Sequence, residues 1–165
     1  MNSAEKLNAD TFASPEAAFE KYADTVYRLA FVRTKSRHDS DDVLQEVFLR
    51  YMRVWQNMQS EEHVKATLIR IAVNCSNSLL SSAWFKKTDP LDENIKAPDY
   101  FGGENVLGEV LKLPLKYRTV VHLYYYLGFS VDEIAELTKT NPSTVKTRLS
   151  RARGQLKKTI KAEDL

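Results

Sequence analysis

Between Asn141 and Lys161 the chain carries Lys146, Arg148, Arg151, Arg153, Lys157, Lys158 and Lys161, and no acid. Wound at about 100° per residue, this stretch places Val145, Leu149, Ala152, Leu156 and Ile160 on one side. Ser143, Thr147, Ser150, Arg151 and Lys158 point the other way, with Lys146 and Arg148 on the flanks. Short hydroxyl side chains let a helix backbone come close to a groove. Ser143, Thr144, Lys146, Thr147, Arg148 and Arg151 supply polar groups for base edges and phosphates. Arg153, Lys157 and Lys158 lie farther along, where a phosphate backbone is the natural partner. The plain alternative is a solvated helix with a basic bias, but a surface built only for solubility mixes both signs. The chemistry expected here is recognition of duplex DNA.

Two other faces carry polar groups in unusual patterns. One holds Asp42, Gln45, Glu46, Leu49, Met52, Arg53 and Gln56, with Leu49 and Met52 as apolar residues among polar ones. That mixture suits a protein partner, or else packing against another helix of the same domain. The other holds Thr67, Arg70, Asn74, Asn77, Ser78 and Ser81, with no carboxylate. Amides and hydroxyls can read unstacked bases, or can form a polar seam between helices. From the pattern alone both alternatives stand for each face.

Catalysis has little to work with. His38, His63 and His122 are not spaced as metal ligands, and no phosphate loop or nucleophile elbow occurs. The single cysteine, Cys75, excludes an internal disulfide and any multi-cysteine metal site, and is expected to be a buried structural thiol. No catalytic residue, metal, cofactor or small-molecule substrate is expected. No apolar run approaches the roughly 20 residues that span a bilayer, and Met1–Asp10 has no apolar signal core, so a cytoplasmic protein is expected.

The elements that must position these residues are helices. Gly and Pro are few, five of each, and strand-like alternation is rare. A first helix is expected over 15–35, capped by Ser14 with Pro15 in its first turn, along Phe19, Ala23, Val26 and Ala30. A second is expected over 40–57, along Val43, Leu44, Val47, Phe48, Tyr51, Val54 and Trp55. A third starts near Ser60, with Glu61 and Glu62 favourable to its dipole, and reaches about Trp84 along Leu68, Ile69, Ala72, Cys75 and Leu79. Residues 86–103 are polar, broken by Pro90 and Pro98 and closed by Gly102 and Gly103, and read as a flexible linker. Extended, it could reach roughly 60 Å, far enough to set two domains on separate surfaces of one partner.

The second half holds four short helices. One covers 104–112, and another opens at Pro114 and ends near Gly128. A third begins at Ser130, where Glu133 completes a capping box. After a turn over 138–141, Asn141 and Pro142 start the last. Two helices joined by about four residues, the second one basic, have helix-turn-helix proportions. The expected fold is all-α: a three-helix domain over 12–85, the linker over 86–103, and a four-helix helix-turn-helix domain over 104–161.

These segments resemble a known family. DDVLQEVFLRYMRVW (41–55) resembles the polymerase-binding helix of bacterial sigma factors, and TLIRIAVN (67–74) the helix that follows it. LPLKYRTVVHLYYYLGFSVDEIAELTKTNPSTVKTRLSRARGQL (113–156) is similar to sigma region four. The short length, without further sigma regions, matches the extracytoplasmic-function branch. The resemblance implies a factor that binds core RNA polymerase through its clamp coiled coil and flap and directs it to promoter DNA. It implies that Asp42, Gln45, Glu46 and Leu49 meet the clamp. It implies that the −10 element is captured by Asn74 and the loop from Asn57 to His63, with Arg70 and Asn77 on the same side. Ser143, Thr144, Lys146, Thr147, Arg148 and Arg151 would read the −35 element as duplex. It also implies control by an anti-sigma factor, usually membrane-anchored.

The sequence departs from that family at particular positions. Thr138 and Lys139 stand where an apolar residue and then Gly are usual, and a Lys at positive φ costs on the order of 1 kcal/mol. Asn77 stands where Asp is common and Ser82 where Arg is common, which makes this end of the third helix less basic, with Lys86 and Lys87 beyond it. The rival class is a helix-turn-helix regulator acting without core polymerase. A response regulator would need the strands of an α/β receiver, which the sequence lacks.

Overall fold

The computed structural model describes residues 12–86 and 104–163. Seven α-helices and no strand occur among the described residues, and they fall into two compact units. The first contains α1 (Pro15–Thr34), α2 (Arg37–Tyr51) and α3 (Glu61–Lys86), and the second α4 (Glu104–Lys112), α5 (Leu115–Val121), α6 (Val131–Leu137) and α7 (Pro142–Glu163). The expected linker, save Lys86 at the end of α3, lies outside the described residues.

In the first unit each helix packs on the other two. Ser14 caps α1 by accepting the Ala17 N–H at 3.2 Å, as its place before Pro15 requires. Val26, Leu29 and Phe31 of α1 meet Val43, Val47 and Tyr51 of α2 and Leu68, Ile69 and Ala72 of α3 in one apolar core. Tyr51 is fully buried, and its hydroxyl donates to the Ala13 carbonyl at 2.5 Å. Burial pushes this phenol up to about 12.

Three expectations need correction. The second helix starts at Arg37 rather than near Ser40, because Ser36 is its cap: the Ser36 hydroxyl accepts the Asp39 N–H at 3.1 Å. Ser40 is buried and donates to the Ser36 carbonyl at 2.6 Å. That helix ends at Tyr51, where the chain tightens into three-residue turns, with a 3₁₀ segment at Trp55–Asn57. Phe19, expected in the core, is 49% exposed and touches Phe48 edge-on at 5.0 Å. It lies in the first turns of α1, at the rim of the packed region.

The second unit packs α5, α6 and α4 against α7. Its core joins Leu107, Val120, Leu123, Ile134, Val145 and Leu149. Val121 leads into a π turn, His122–Tyr126, whose wide loop is closed by the Leu127 N–H on the His122 carbonyl at 3.1 Å. Gly128, at φ 72, then reverses the chain in a region that side chains disfavour. Arg118 is buried, donates to the Leu113 carbonyl at 3.0 Å, and is pushed down to about 10 by burial.

Candidate nucleic-acid and partner surfaces

The basic helix α7 is held by local chemistry at each step. Ser130 and Glu133 form a reciprocal capping box: the Ser130 hydroxyl accepts the Glu133 N–H at 3.1 Å, and the Glu133 carboxylate accepts the Ser130 N–H at 3.2 Å. After α6 the Thr140 N–H donates to the Ala135 carbonyl at 2.9 Å, and the Lys139 N–H to the Glu136 carbonyl at 3.3 Å. That bond pair is a Schellman closure, and it places Lys139 at φ 55. The side chain forced into positive φ by the Lys-for-Gly departure is therefore present. Thr138 Oγ1 reinforces the turn by donating to the Ile134 carbonyl at 2.7 Å. Asn141 Oδ1 then accepts the Thr144 N–H at 2.8 Å and opens α7.

α7 buries Val145, Leu149 and Ala152 and leaves Ser143, Lys146, Thr147, Ser150, Arg151 and Arg153 exposed. Thr144 and Arg148 are half-buried at the edges of that face. All six sequence-derived candidates thus share one side of one helix. Thr147 is refined rather than moved. Its hydroxyl proton is given to the Ser143 carbonyl at 3.0 Å, so toward a ligand it offers lone pairs more than a donor.

In the first unit the outward face of α2 is open. Leu49 is 60% exposed and Met52 57%, and Asp42, Gln45 and Glu46 are exposed around them. Packing against another helix of the unit, the alternative open from pattern alone, does not occur. Two i,i+4 contacts order the polar side chains: Arg50 pairs with Glu46 at 2.9 Å, and His38 Nε2 lies 3.5 Å from an Asp42 carboxylate oxygen. A groove of about 630 Å³ runs beside this face between α2 and α3, lined by Asp39, Asp42, Glu46, Cys75, Ser78 and Leu79 among others. Cys75 is buried as expected, and burial pushes its thiol up, away from the reactive thiolate.

On α3, His63, Arg70, Asn74, Asn77 and Ser81 recur at spacings of seven, four, three and four, a single line along the helix. At about 1.5 Å per residue the line is roughly 27 Å long. Beyond Glu62 α3 contains no acid. Arg70, Asn77 and Ser81 are exposed, and Asn74 and His63 half-buried. Asn57 is exposed in the 3₁₀ segment ahead of α3. Ser60 caps α3 through the His63 N–H at 3.1 Å, and His63 Nδ1 accepts the Gln59 N–H at 3.2 Å, so the ring is oriented from its own loop. Thr67 is a correction, because it is buried and leaves this face.

Sequence reasoning missed Arg33. It is buried, and it donates through Nε to Ser76 Oγ at 2.6 Å and through Nη2 to Asn77 Oδ1. One guanidinium from α1 thus fixes two neighbouring polar residues of α3. An Arg directly after the apolar run Leu29–Val32 is the available signal. At the start of α3, Glu61 accepts from Tyr22 at 2.9 Å and from Lys21, and these bonds hold its carboxyl below its ordinary range.

The comparisons with known proteins follow the same division. Residues 18–85 match the family model described as Sigma-70 region 2, and residues 104–156 match Sigma-70, region 4. The RNA polymerase sigma factor SigV of Bacillus subtilis is 30% identical over 145 residues, covering 84% of this chain and 86% of that one. The ECF RNA polymerase sigma factor SigW of the same organism is 29% identical over 178 residues, covering 94% and 92%. Among solved structures, the sigma factor RpoE of Bartonella quintana, in complex with the anti-sigma factor NepR, superposes with a TM-score of 0.76. It is 18% identical and covers 88% of this chain and 96% of that one. CnrH, in complex with the cytosolic domain of CnrY, gives a TM-score of 0.64 at 20% identity, covering 97% and 99%. At these identities the structural likeness speaks for the fold. No described helix is long and apolar enough to cross a membrane.

Proposed function

The chain belongs to the extracytoplasmic-function branch of the sigma-70 family of RNA polymerase sigma factors, and on that premise we propose how its surfaces divide the work of promoter-directed initiation. The first domain, over 12–85, docks on core RNA polymerase and opens the promoter. The second, over 104–161, reads duplex upstream and meets the polymerase flap, and the segment over 86–103 is the tether. The protein acts in the cytoplasm as a binding factor rather than an enzyme, without metal or cofactor.

The single observation that carries the polymerase-binding reading is the open face of α2, with Leu49 and Met52 exposed between Asp42, Gln45 and Glu46 on one side and Arg53 and Gln56 on the other. An apolar centre with a charged rim is the anatomy of a protein interface. Its fitting partner is the clamp coiled coil. The acid-free line of α3, with Arg70, Asn74 and Asn77 and with Asn57 and His63 at its entry, fits bases lifted from the −10 element. Amides there can bond base edges once the stack is open. Ser143, Thr144, Lys146, Thr147, Arg148 and Arg151 on α7 fit the major groove of the −35 element.

An anti-sigma factor, membrane-anchored in its usual form, is the proposed regulator. RpoE was solved in complex with the anti-sigma factor NepR, and CnrH in complex with the cytosolic domain of CnrY. Mixing the protein with core polymerase on a sizing column tests the reading. Co-elution is expected. A protein that binds duplex DNA but never co-elutes with core polymerase would be a free-standing regulator instead.

A further inference from the structure

The second unit has an exposed hydrogen bond that neither the packing nor the reading face requires. Tyr125, in the π turn, and Arg153, on α7, stand 28 residues apart, and Arg153 Nη1 donates to the Tyr125 hydroxyl at 3.0 Å. Tyr125 is 52% exposed and Arg153 is exposed, so the pair is open to solvent. The π turn presents Tyr124, Tyr125 and Tyr126 outward in succession, and the Tyr124 ring meets Tyr125 edge-on at 4.9 Å. Tyr125 is therefore supported from both sides.

On α7, Arg153 lies in line with Lys146, Ser150 and Lys157, at spacings of four, three and four. This line borders the face that carries Ser143, Thr147 and Arg151. A duplex lying on that face brings one strand of its phosphate backbone past the border.

We propose that Tyr125 belongs to the DNA-binding surface, as a positioning residue that holds the Arg153 guanidinium against a backbone phosphate beside the upstream promoter element. The bond from Arg153 uses a lone pair of the phenol oxygen. The other N–H groups of the guanidinium stay available, so a phosphate oxygen beside the pair receives one or two hydrogen bonds from an Arg153 already held in place by Tyr125. A free Arg side chain must give up rotamer freedom to make that contact, and the phenol removes part of the loss in advance. The partner is a phosphodiester backbone of any sequence, so the pair adds affinity and register but no base preference. The inference rests on the duplex-reading role of α7 proposed above.

The test is a double-mutant cycle on the full chain bound to core polymerase. The probe is a duplex containing the upstream element of a promoter whose start site has been mapped with this protein. Tyr125→Phe keeps the ring and removes only the hydroxyl. It should weaken binding about three- to tenfold, the range of one hydrogen bond. Arg153→Ala should weaken binding further and lower the slope of log affinity against log salt by about 0.9, one phosphate contact. In the Arg153→Ala background Tyr125→Phe should change affinity by less than about twofold. Arg151→Ala serves as the control for the reading face. Wild-type affinity for Tyr125→Phe, or the same loss with and without Arg153, overturns the inference while Arg151→Ala still impairs binding. If Arg151→Ala is also harmless, the duplex-reading role itself has failed. A merely structural Tyr125 would shift the melting temperature and leave the salt slopes alone.

Discussion

Lys139 offers a direct test of how the helix-turn-helix is built. Its φ of 55 is imposed by the closure of α6, in which the Thr140 and Lys139 N–H groups return to the Ala135 and Glu136 carbonyls. A side chain in that region costs about 1–2 kcal/mol, from Cβ crowding the carbonyl oxygen. Lys139→Gly removes the crowding and keeps both backbone bonds. Lys139 is exposed, so little packing is lost with it. Glycine gains freedom in the unfolded chain, which takes back about 0.4–1 kcal/mol. The net expectation is a stabilisation of about 0.5–1 kcal/mol. For a unit of this size that corresponds to a rise of about 3–6 °C in melting temperature.

The assay can tell which unit has changed. Both tryptophans, Trp55 and Trp84, lie in the first unit, whereas the second unit is rich in tyrosine and contains none. Circular dichroism should therefore show a later transition while tryptophan fluorescence melts as before. Lys35 has the same φ of 55 at the end of α1 and supplies the mirror experiment, in which Lys35→Gly should move the tryptophan transition. A Lys139→Gly protein that melts at or below the wild-type temperature would refute the strain argument. Promoter binding should change little, because the turn keeps its path.

Other expectations follow from the two surfaces and the core. Gln45→Ala combined with Leu49→Ala should weaken competition for core polymerase roughly tenfold or more while circular dichroism stays native, since both residues are exposed. Arg151→Ala should cost about 1–3 kcal/mol of promoter recognition, read as affinity of the holoenzyme for matched and mismatched duplexes. Tyr51 keeps its proton in the folded state up to about 12, above its ordinary 10. Its contribution is therefore complete below about pH 10 and is lost as pH rises through 12. Urea unfolding followed by tryptophan fluorescence should show a decline of about 2–3 kcal/mol across that window. Tyr51→Phe should flatten the decline and, at neutral pH, cost about 1 kcal/mol for the lost bond to Ala13.

The parts of this molecule legible in its sequence are those governed by neighbours a few residues away. Ser14 before Pro15, Ser130 with Glu133, and Asn141 before Pro142 each place a cap that needs no distant partner. The periodicity of Val145, Leu149 and Ala152 likewise identifies the buried side of α7 and therefore its exposed, basic side. Choices between equivalent local signals were less legible. Ser36 and Ser40 can both cap a helix, and only the burial of Ser40 decides between them. Thr67 matched a polar face by spacing, yet packing takes it inside. Phe19 matched an apolar stripe, yet the core ends before it. The links Arg33–Asn77 and Tyr125–Arg153 cross between elements, where periodicity within a single helix carries no information. The candidate site is divided in the same way: the faces were readable, and the contacts that orient their side chains were not.

The central claim is that this chain gives core RNA polymerase a promoter preference the enzyme lacks alone. Purified core polymerase, with and without the protein, can be run on pooled genomic fragments and the RNA 5′ ends mapped. With the protein present, starts should collect downstream of two short sequence elements held at constant separation, and Arg151→Ala and Asn74→Ala should each scatter them. Starts that match those of core polymerase alone would contradict the account.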